Sequence, residues 1–229
     1  MKKLYGSSFD YYTTNVLRLL FKRIPCLKKM IHFLWTVPSS IWGWFILRFH
    51  KNSELKIVIG SSGRFKKGWI PTNNYFLDIL KMSDWERSFS PSSVDFMLAE
   101  HVWEHLDRDE AKTAVRNCFL FLKKGGCLRI AVPDGFNPDK DYFEYVKPGG
   151  FGPGADDHKI LYNYKTLTQL FPSEKFKVKL LEYYDEQGKF VQNDWNAKNG
   201  FIYRSAENDS RNSNYKVLYN SIIIDAIKL

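Results

Sequence analysis

Three short apolar runs, each unbroken and each closed by glycine or polar residues, constrain this chain more than any other feature. Residues 55–60 read LKIVIG, residues 94–100 VDFMLAE and residues 127–134 CLRIAVPD. A strand with one wet face alternates apolar and polar residues, whereas an unbroken run belongs to a strand buried on both faces, as in parallel sheets. Between the last two runs, DRDEAKTAVRNCFLFLKKGG keeps Ala111, Ala114, Val115, Cys118, Phe119 and Leu122 on one helical face, and Gly125-Gly126 is expected to stop that helix. Strand, helix, glycine pair and strand make a βαβ unit. The expected fold is therefore α/β, a mostly parallel Rossmann-like sheet with helices on both faces.

Such sheets bind ligands beyond the carboxyl ends of their strands. The polar residues at the strand ends are thus the candidates. Gly60, Ser61, Ser62 and Gly63 follow the first run, where absent side chains let a ligand approach the backbone. A tight turn alone could also use these residues. Asp78 falls in YFLDIL, Glu100 and His101 close the second run, and Asp134 closes the third. Further on, FKVKLLEYYDEQGKFVQ alternates about an Asp-Glu-Gln-Gly turn and reads as a hairpin, and SIIIDAIKL reads as a final strand. The polar stretch from Asn193 to Asn214, with Arg204, Asp209 and Arg211, either lines a pocket or is a solvated loop; the loop is expected.

The formal charge of +9 points toward nucleic acid until its distribution is read. Residues 1–54 hold nine Lys/Arg against two Asp/Glu, and residues 55–229 hold 25 against 23. The body is near neutral, so nucleic acid is not the expected partner. Residues 1–54 are expected to form a helical extension and residues 55–229 the main domain. In the extension, Val16, Leu19, Leu20, Ile24 and Leu27 recur at helical spacing among basic residues, and IHFLWTVPSSIWGWFILRF follows. Pro38, Ser39, Ser40 and Gly43 argue against a membrane span. Residues 1–50 leave open a peripheral contact with a membrane interface, or helices packed on the protein's own core or in a homodimer. The three cysteines Cys26, Cys118 and Cys127 share no metal-like spacing, and no secretory pattern opens the chain. A cytoplasmic setting, with peripheral attachment at the inner face of the cell membrane left open, is expected.

IVIGSSG with GWI, then VDFMLAEHVWEHL, then FLKKGGCLRIAVPD, together resemble the class I S-adenosylmethionine-dependent methyltransferases. They are most similar to small methyltransferases encoded among genes for surface-polysaccharide synthesis. The likeness runs from Leu55 to Asp134 and continues in later stretches to the C-terminus; residues 1–54 lie outside it. It implies a seven-stranded sheet, S-adenosylmethionine as cofactor, S-adenosylhomocysteine as product, and O-methylation of a sugar or lipid-linked glycan intermediate. By the resemblance, Gly60, Ser61, Ser62 and Gly63 would cradle the methionyl part. Asp78 would approach the adenine amino group, Ile79 would pack on the ring, and Glu100 and His101 would border the sulfonium. Two departures stand out: KKGG replaces the usual Lys-Pro-Gly-Gly, and Asn73 and Asn74 stand where a carboxylate usually grips the ribose diol. An amide lacks that charge and second acceptor oxygen. A scaffold that binds cofactor poorly is the alternative reading.

Methyl transfer to a hydroxyl needs alignment and a group to take the proton. His101, His105 and His158 are the candidate bases. The catalytic candidates are His105, beside a helix start, His158, in the Gly/Pro-rich loop GGFGPGADDHKILYNY, and Asp134, at a strand end where either a substrate contact or a structural bond is expected. His105 also reads as an organiser of the helix start, and Asp156 or Asp157 as a cap near His158. His101 and His105 have zinc-helix spacing, but Val102 follows the first and no third ligand has recognisable spacing, so no metal is expected.

Overall fold

The computed structural model describes residues 54–61, 66–74, 76–212 and 217–229. The expectations for residues 1–53, Ser62 and Gly63 lie outside these. Among the described residues, no helix is long and apolar enough to cross a membrane.

Strand β1 (Lys56–Ile59) lies between β2 (Ile70–Pro71) and β3 (Val94–Glu100), both parallel to it. Strand β4 (Leu122–Pro133) adds parallel to β3. Strand β7 (Ser221–Lys228) then runs antiparallel between β4 and β5 (Phe176–Tyr184), and β6 (Phe190–Gln192) closes the order β2-β1-β3-β4-β7-β5-β6. The sheet is thus seven-stranded and mixed. The expected hairpin is β5–β6, and SIIIDAIKL supplies β7. The chain leaves β1 toward β2 on one side and returns to β3 on the other, so the strand order reverses at β1. In open α/β sheets the crevice above such a reversal is the ligand site. Only residues 60–69 join β1 to β2, shorter than the dozen or more residues of a usual parallel crossover.

Alternate residues of each strand face opposite ways. Ile57, Ile59, Met97, Ala99, Leu128 and Ile130 face α1 (Met82–Ser88), α2 (Arg108–Phe121) and α4 (Tyr164–Thr168), which bury Trp85, Ala114, Cys118 and Leu167 in the same cluster. The short α3 (Lys140–Val146) packs Tyr142 and Val146 with Tyr219. Helix α2 starts in a reciprocal cap. The Asp107 carboxylate accepts the Asp109 and Glu110 N–H groups, and the Glu110 carboxylate accepts the N–H of Asp107.

That helix ends at Phe121, not at the glycine pair, which is a correction to the sequence reading. Gly125 and Gly126 sit within β4, where pairing with β3 jumps from Val94–Leu122 to Phe96–Cys127. The extra residues form a bulge, and Gly125 takes φ +75° there. A Cβ on Gly126 would lie 2.9 Å from the carbonyl oxygens of both Asp95 and Lys123. The glycines serve the bulge.

On the opposite face, Val58, Leu98, Ala131, Leu181 and Ile223 are covered by Trp69, Trp195 and Ile202. Between residues 193 and 206 the covering segment has only one short 3-10 turn, Ala197–Asn199, so no helical ladder satisfies its backbone groups. Side chains of the sheet do so instead. Fully buried Arg129 pairs with Asp225 directly across from it on β7, Nε to Oδ1 at 2.7 Å and Nη2 to Oδ2 at 2.8 Å. Its Nη1 donates to the carbonyls of Asn196 (2.9 Å) and Gly200 (2.6 Å), and the Trp195 ring lies 4.8 Å from the guanidinium. On β5, Glu182 accepts from Trp195 Nε1 (3.0 Å) and the Ala206 N–H (2.8 Å). At the end of β3, Glu100 accepts the N–H groups of Tyr203 (3.2 Å) and Arg204 (2.8 Å).

Arg129→Met strands the Asp225 carboxylate in the core, a loss of about 3–5 kcal/mol for one partner of a buried pair. Urea unfolding should show that loss, and adding Asp225→Asn should recover part of it. A loss under about 1 kcal/mol, the range of an exposed pair, would contradict the anchoring role.

Candidate functional site

Three hollows meet at the carboxyl ends of β1 and β3. The first, about 430 Å³, lies between Gly60-Ser61 and the covering segment, with Lys66, Glu100, Tyr203 and Arg204 in its wall. The second, about 410 Å³, shares Ile59 and Gly60 with the first and extends to Asn74, Asp78 and Ile79. The third, about 450 Å³, shares Pro153, Tyr203 and Arg204 with the first and is walled by His101, His158, Tyr145 and Tyr219. Each falls within the range of small-molecule sites, roughly 300–1,000 Å³.

The backbone geometry at the two strand ends is tightly set. Gly60 has φ +65°, and a Cβ there would stand 2.7 Å from Val102 Cγ2. The Ser61 N–H donates to the Thr72 carbonyl at 2.7 Å and prolongs the β1–β2 ladder, so this donor is committed to the sheet. His101 adopts φ +57°, uncommon for a residue with a side chain, and its N–H donates to the Ala131 carbonyl at 2.8 Å. This turn aims the imidazole inward: Nε2 lies 3.1 Å from Ser221 Oγ and Nδ1 lies 2.9 Å from Glu104 Oε1.

Burial pushes His101 below the ordinary histidine range, against the opposing pull of Glu104. Burial alone would raise Glu104, but its charge and hydrogen-bond interactions, those with His101 first, hold it net below the usual carboxylate range. Burial and charge thus act in opposite directions on both partners of this fully buried pair.

The structure sorts the expected residues. Asp78 and Ile79 line the second hollow, with the Asp78 carboxylate accepting the Leu80 N–H (3.1 Å) and pairing with Lys81 (3.0 Å). Asn73 turns its Oδ1 to the Phe76 N–H (3.1 Å), and its neighbour Asn74 lines that hollow instead. Glu100 borders the first hollow while holding the covering segment. His105 lines the second hollow with Nδ1 3.3 Å from the Asp157 carbonyl, and His158 lines the third with Nδ1 2.7 Å from the Val146 carbonyl. Asp134 takes the structural alternative. Only 1% exposed, it lines none of the three hollows and accepts from the Phe136 and Tyr184 N–H groups and Asn220 Nδ2, tying the ends of β4 and β5 to the start of β7. Burial raises its pKa above the usual carboxylate value.

The stretch expected to be a solvated loop is a wall. Arg204, Asp209 and Arg211 all line the third hollow. Arg211 pairs with Asp209 and stacks 3.5 Å from the Tyr219 ring centre. Arg204 reaches both the first and third hollows, and among the described residues its guanidinium has no carboxylate partner. Nor does Lys66, whose ammonium sits 3.9 Å over the Phe201 ring. Sequence reasoning passed over Glu104 as a member of the site. Its spacing from His101 and His105 was visible, but its burial was not.

No family model matches the chain, and no curated protein matches it. Among solved structures it is similar to an S-adenosylmethionine-dependent methyltransferase from Archaeoglobus fulgidus, at 16% identity over 86% of this chain and 98% of that one, TM-score 0.42. It is similar also to such a methyltransferase from Thermotoga maritima (13% identity, 91% of this chain, 98% of that one, TM-score 0.43). A third is from Methanosarcina mazei (13% identity, 80% and 96%, TM-score 0.41). Likenesses at this distance say nothing of substrate or chemistry.

Gly60→Ala adds both a strained φ and a contact with Val102, and should cost about 2–3 kcal/mol in urea unfolding. In a Val102→Ala background the cost should fall to that of the φ alone, about 1–2 kcal/mol. An equal cost in both backgrounds would show that Val102 is not the wall against which Gly60 is packed.

Proposed function

We propose that the protein is an S-adenosylmethionine-dependent methyltransferase acting on a hydroxyl of a sugar or lipid-linked glycan intermediate. The observation that carries this reading is the junction of three hollows above the reversal of strand order, which gives donor and acceptor separate but adjoining places. The resemblance of residues 55–134 to class I methyltransferases supports the donor, and its likeness to enzymes of surface-polysaccharide synthesis supports the acceptor.

The donor groups present fit the cofactor. Arg204 and Lys66, cations without carboxylate partners beside Gly60 and Ser61, suit the carboxylate of its amino-acid end. In the second hollow Ile79 offers an apolar surface for a purine, Asp78 an acceptor for its amino group, and Asn74 an amide for ribose hydroxyls. Bound S-adenosylmethionine supplies a methyl group on a sulfonium, open to in-line attack. The chain's own task is then to hold an acceptor oxygen in line and give its proton a place to go.

The third hollow suits a polyhydroxylated acceptor. Tyr145 and Tyr219 offer ring surface, and Arg204, Asp209 and Arg211 offer charged hydrogen-bonding groups. His101 stands where the second and third hollows meet, as a fixed ring bordering both donor and acceptor places. Its ring is fixed at both nitrogens, by Ser221 and by Glu104.

Calorimetric titration of S-adenosylhomocysteine into the full chain tests the reading. We expect micromolar binding, weakened about 10- to 100-fold in Arg204→Ala, the loss of one charge-assisted contact. Absence of binding at millimolar ligand would contradict the proposal and favour a scaffold that lacks the cofactor.

A further inference from the structure

Glu104, His105 and His158 form a cluster that methyl transfer by itself does not require. Glu104 and His105 belong to the 3-10 turn Trp103–His105 after β3, and His158 follows the turn Ala155–Asp157. One ligand atom from each lies within 4.8 Å of the other two. The Glu104 side chain is fully buried, and neither of its oxygens accepts a hydrogen bond of good geometry. Its close polar neighbours are His101 Nδ1 at 2.9 Å and its own backbone N–H, with His158 Nε2 at 4.0 Å.

Hydrogen bonding fixes where the histidine protons lie. A carbonyl oxygen only accepts, so His158 Nδ1, 2.7 Å from the Val146 carbonyl, carries the proton and donates it. In the neutral ring Nε2 is then a bare lone pair turned toward the Glu104 carboxylate. His105 repeats the pattern, with Nδ1 3.3 Å from the Asp157 carbonyl and 3.5 Å from the Asp157 Oδ2, leaving Nε2 as its lone pair. A buried carboxylate oxygen facing the lone pair of His158, with a nitrogen of His105 within 4.8 Å of both, is a repulsive arrangement unless a cation lies among them. Imidazoles tethered through the far nitrogen to backbone carbonyls are also the usual arrangement of metal-bound histidines.

We propose that Glu104, His105 and His158 bind one divalent transition-metal ion, with His101 holding the carboxylate in place. Ligand atoms about 2.0–2.2 Å from one tetrahedral ion lie about 3.3–3.6 Å apart. His158 Nε2 and Glu104 Oε1, at 4.0 Å, must close by about half an ångström, and the widest separation in the cluster, within 4.8 Å, by about 1.3 Å at most. The His105 side chain, 31% exposed, has room to supply the larger movement. Two imidazoles and one carboxylate leave coordination positions open, as in catalytic rather than structural sites.

The role of the ion rests on the methyl-transfer reading, although its site does not. His158 lines the hollow assigned to the acceptor. A hydroxyl coordinated there is acidified as metal-bound water is, and sheds its proton more readily as it attacks.

The test is titration of Co²⁺ into the chelator-treated full chain, followed by visible absorption, with Zn²⁺ added last as competitor. We expect one saturable equivalent, displaced by Zn²⁺ and weakened at least about tenfold by His105→Ala and by His158→Ala. His105 is partly exposed, so its variant should fold even if the His158 variant does not. Absence of a saturable band, or binding unchanged in His105→Ala, would overturn the site. Binding that depends on the histidines in a protein that fails to bind S-adenosylhomocysteine would uphold the site and overturn only the methyl-transfer reading. Cofactor binding without Co²⁺ binding would do the reverse.

Discussion

The site depends on a buried exchange between charged side chains of the sheet and the backbone of a segment that has almost no secondary structure of its own. The segment 193–206 lies over one face of the sheet and forms a wall of two hollows, yet it has no ladder to satisfy its peptide groups. Arg129, Glu182 and Glu100 take that role from three strands, with Asp225 balancing the charge of Arg129. A buried ion pair gains little stability over an apolar pair of the same shape, so its contribution here is positional. It fixes Tyr203 and Arg204 above the end of β3, beside Gly60.

The strand ends themselves are held by conformations with a cost. His101 adopts a left-handed φ in order to turn its ring inward, and its N–H bond to Ala131, with ring contacts to Ser221 and Glu104, over-determines it. Gly60 makes a similar turn at the end of β1, packed against Val102 from the same loop as His101. Two neighbouring strand ends thus interlock, and the three hollows open around that contact.

Much of the sheet was legible because its signals are local. Unbroken apolar runs marked β1, β3 and β4, alternation about a turn marked β5–β6, and SIIIDAIKL marked β7. The end of α2 was misplaced because a glycine pair marks a bulge as readily as a helix stop, and only the β3–β4 register tells them apart. Asp107 and Glu110, three residues apart, carried a capping signal that was there to be read. The site was less legible because its partners are distant in the chain. Nothing near Arg204 announces that Glu100 binds its N–H, and nothing near His158 announces Glu104. A strand-end carboxylate such as Asp134 reads equally as a substrate contact or a structural bond, and only the distant partners Phe136, Tyr184 and Asn220 show which its oxygens make.

The central claim is that a cofactor binds where the anchored segment meets the ends of β1 and β3. Amide hydrogen exchange of the full chain, with and without saturating S-adenosylhomocysteine, addresses it most directly, because amides report on both sides of the hollow at once. The account expects ligand-dependent slowing in the peptides that carry residues 57–61 and 200–206, with none in those from α2. Slowing confined to other parts of the sheet, or no change at all, would contradict it.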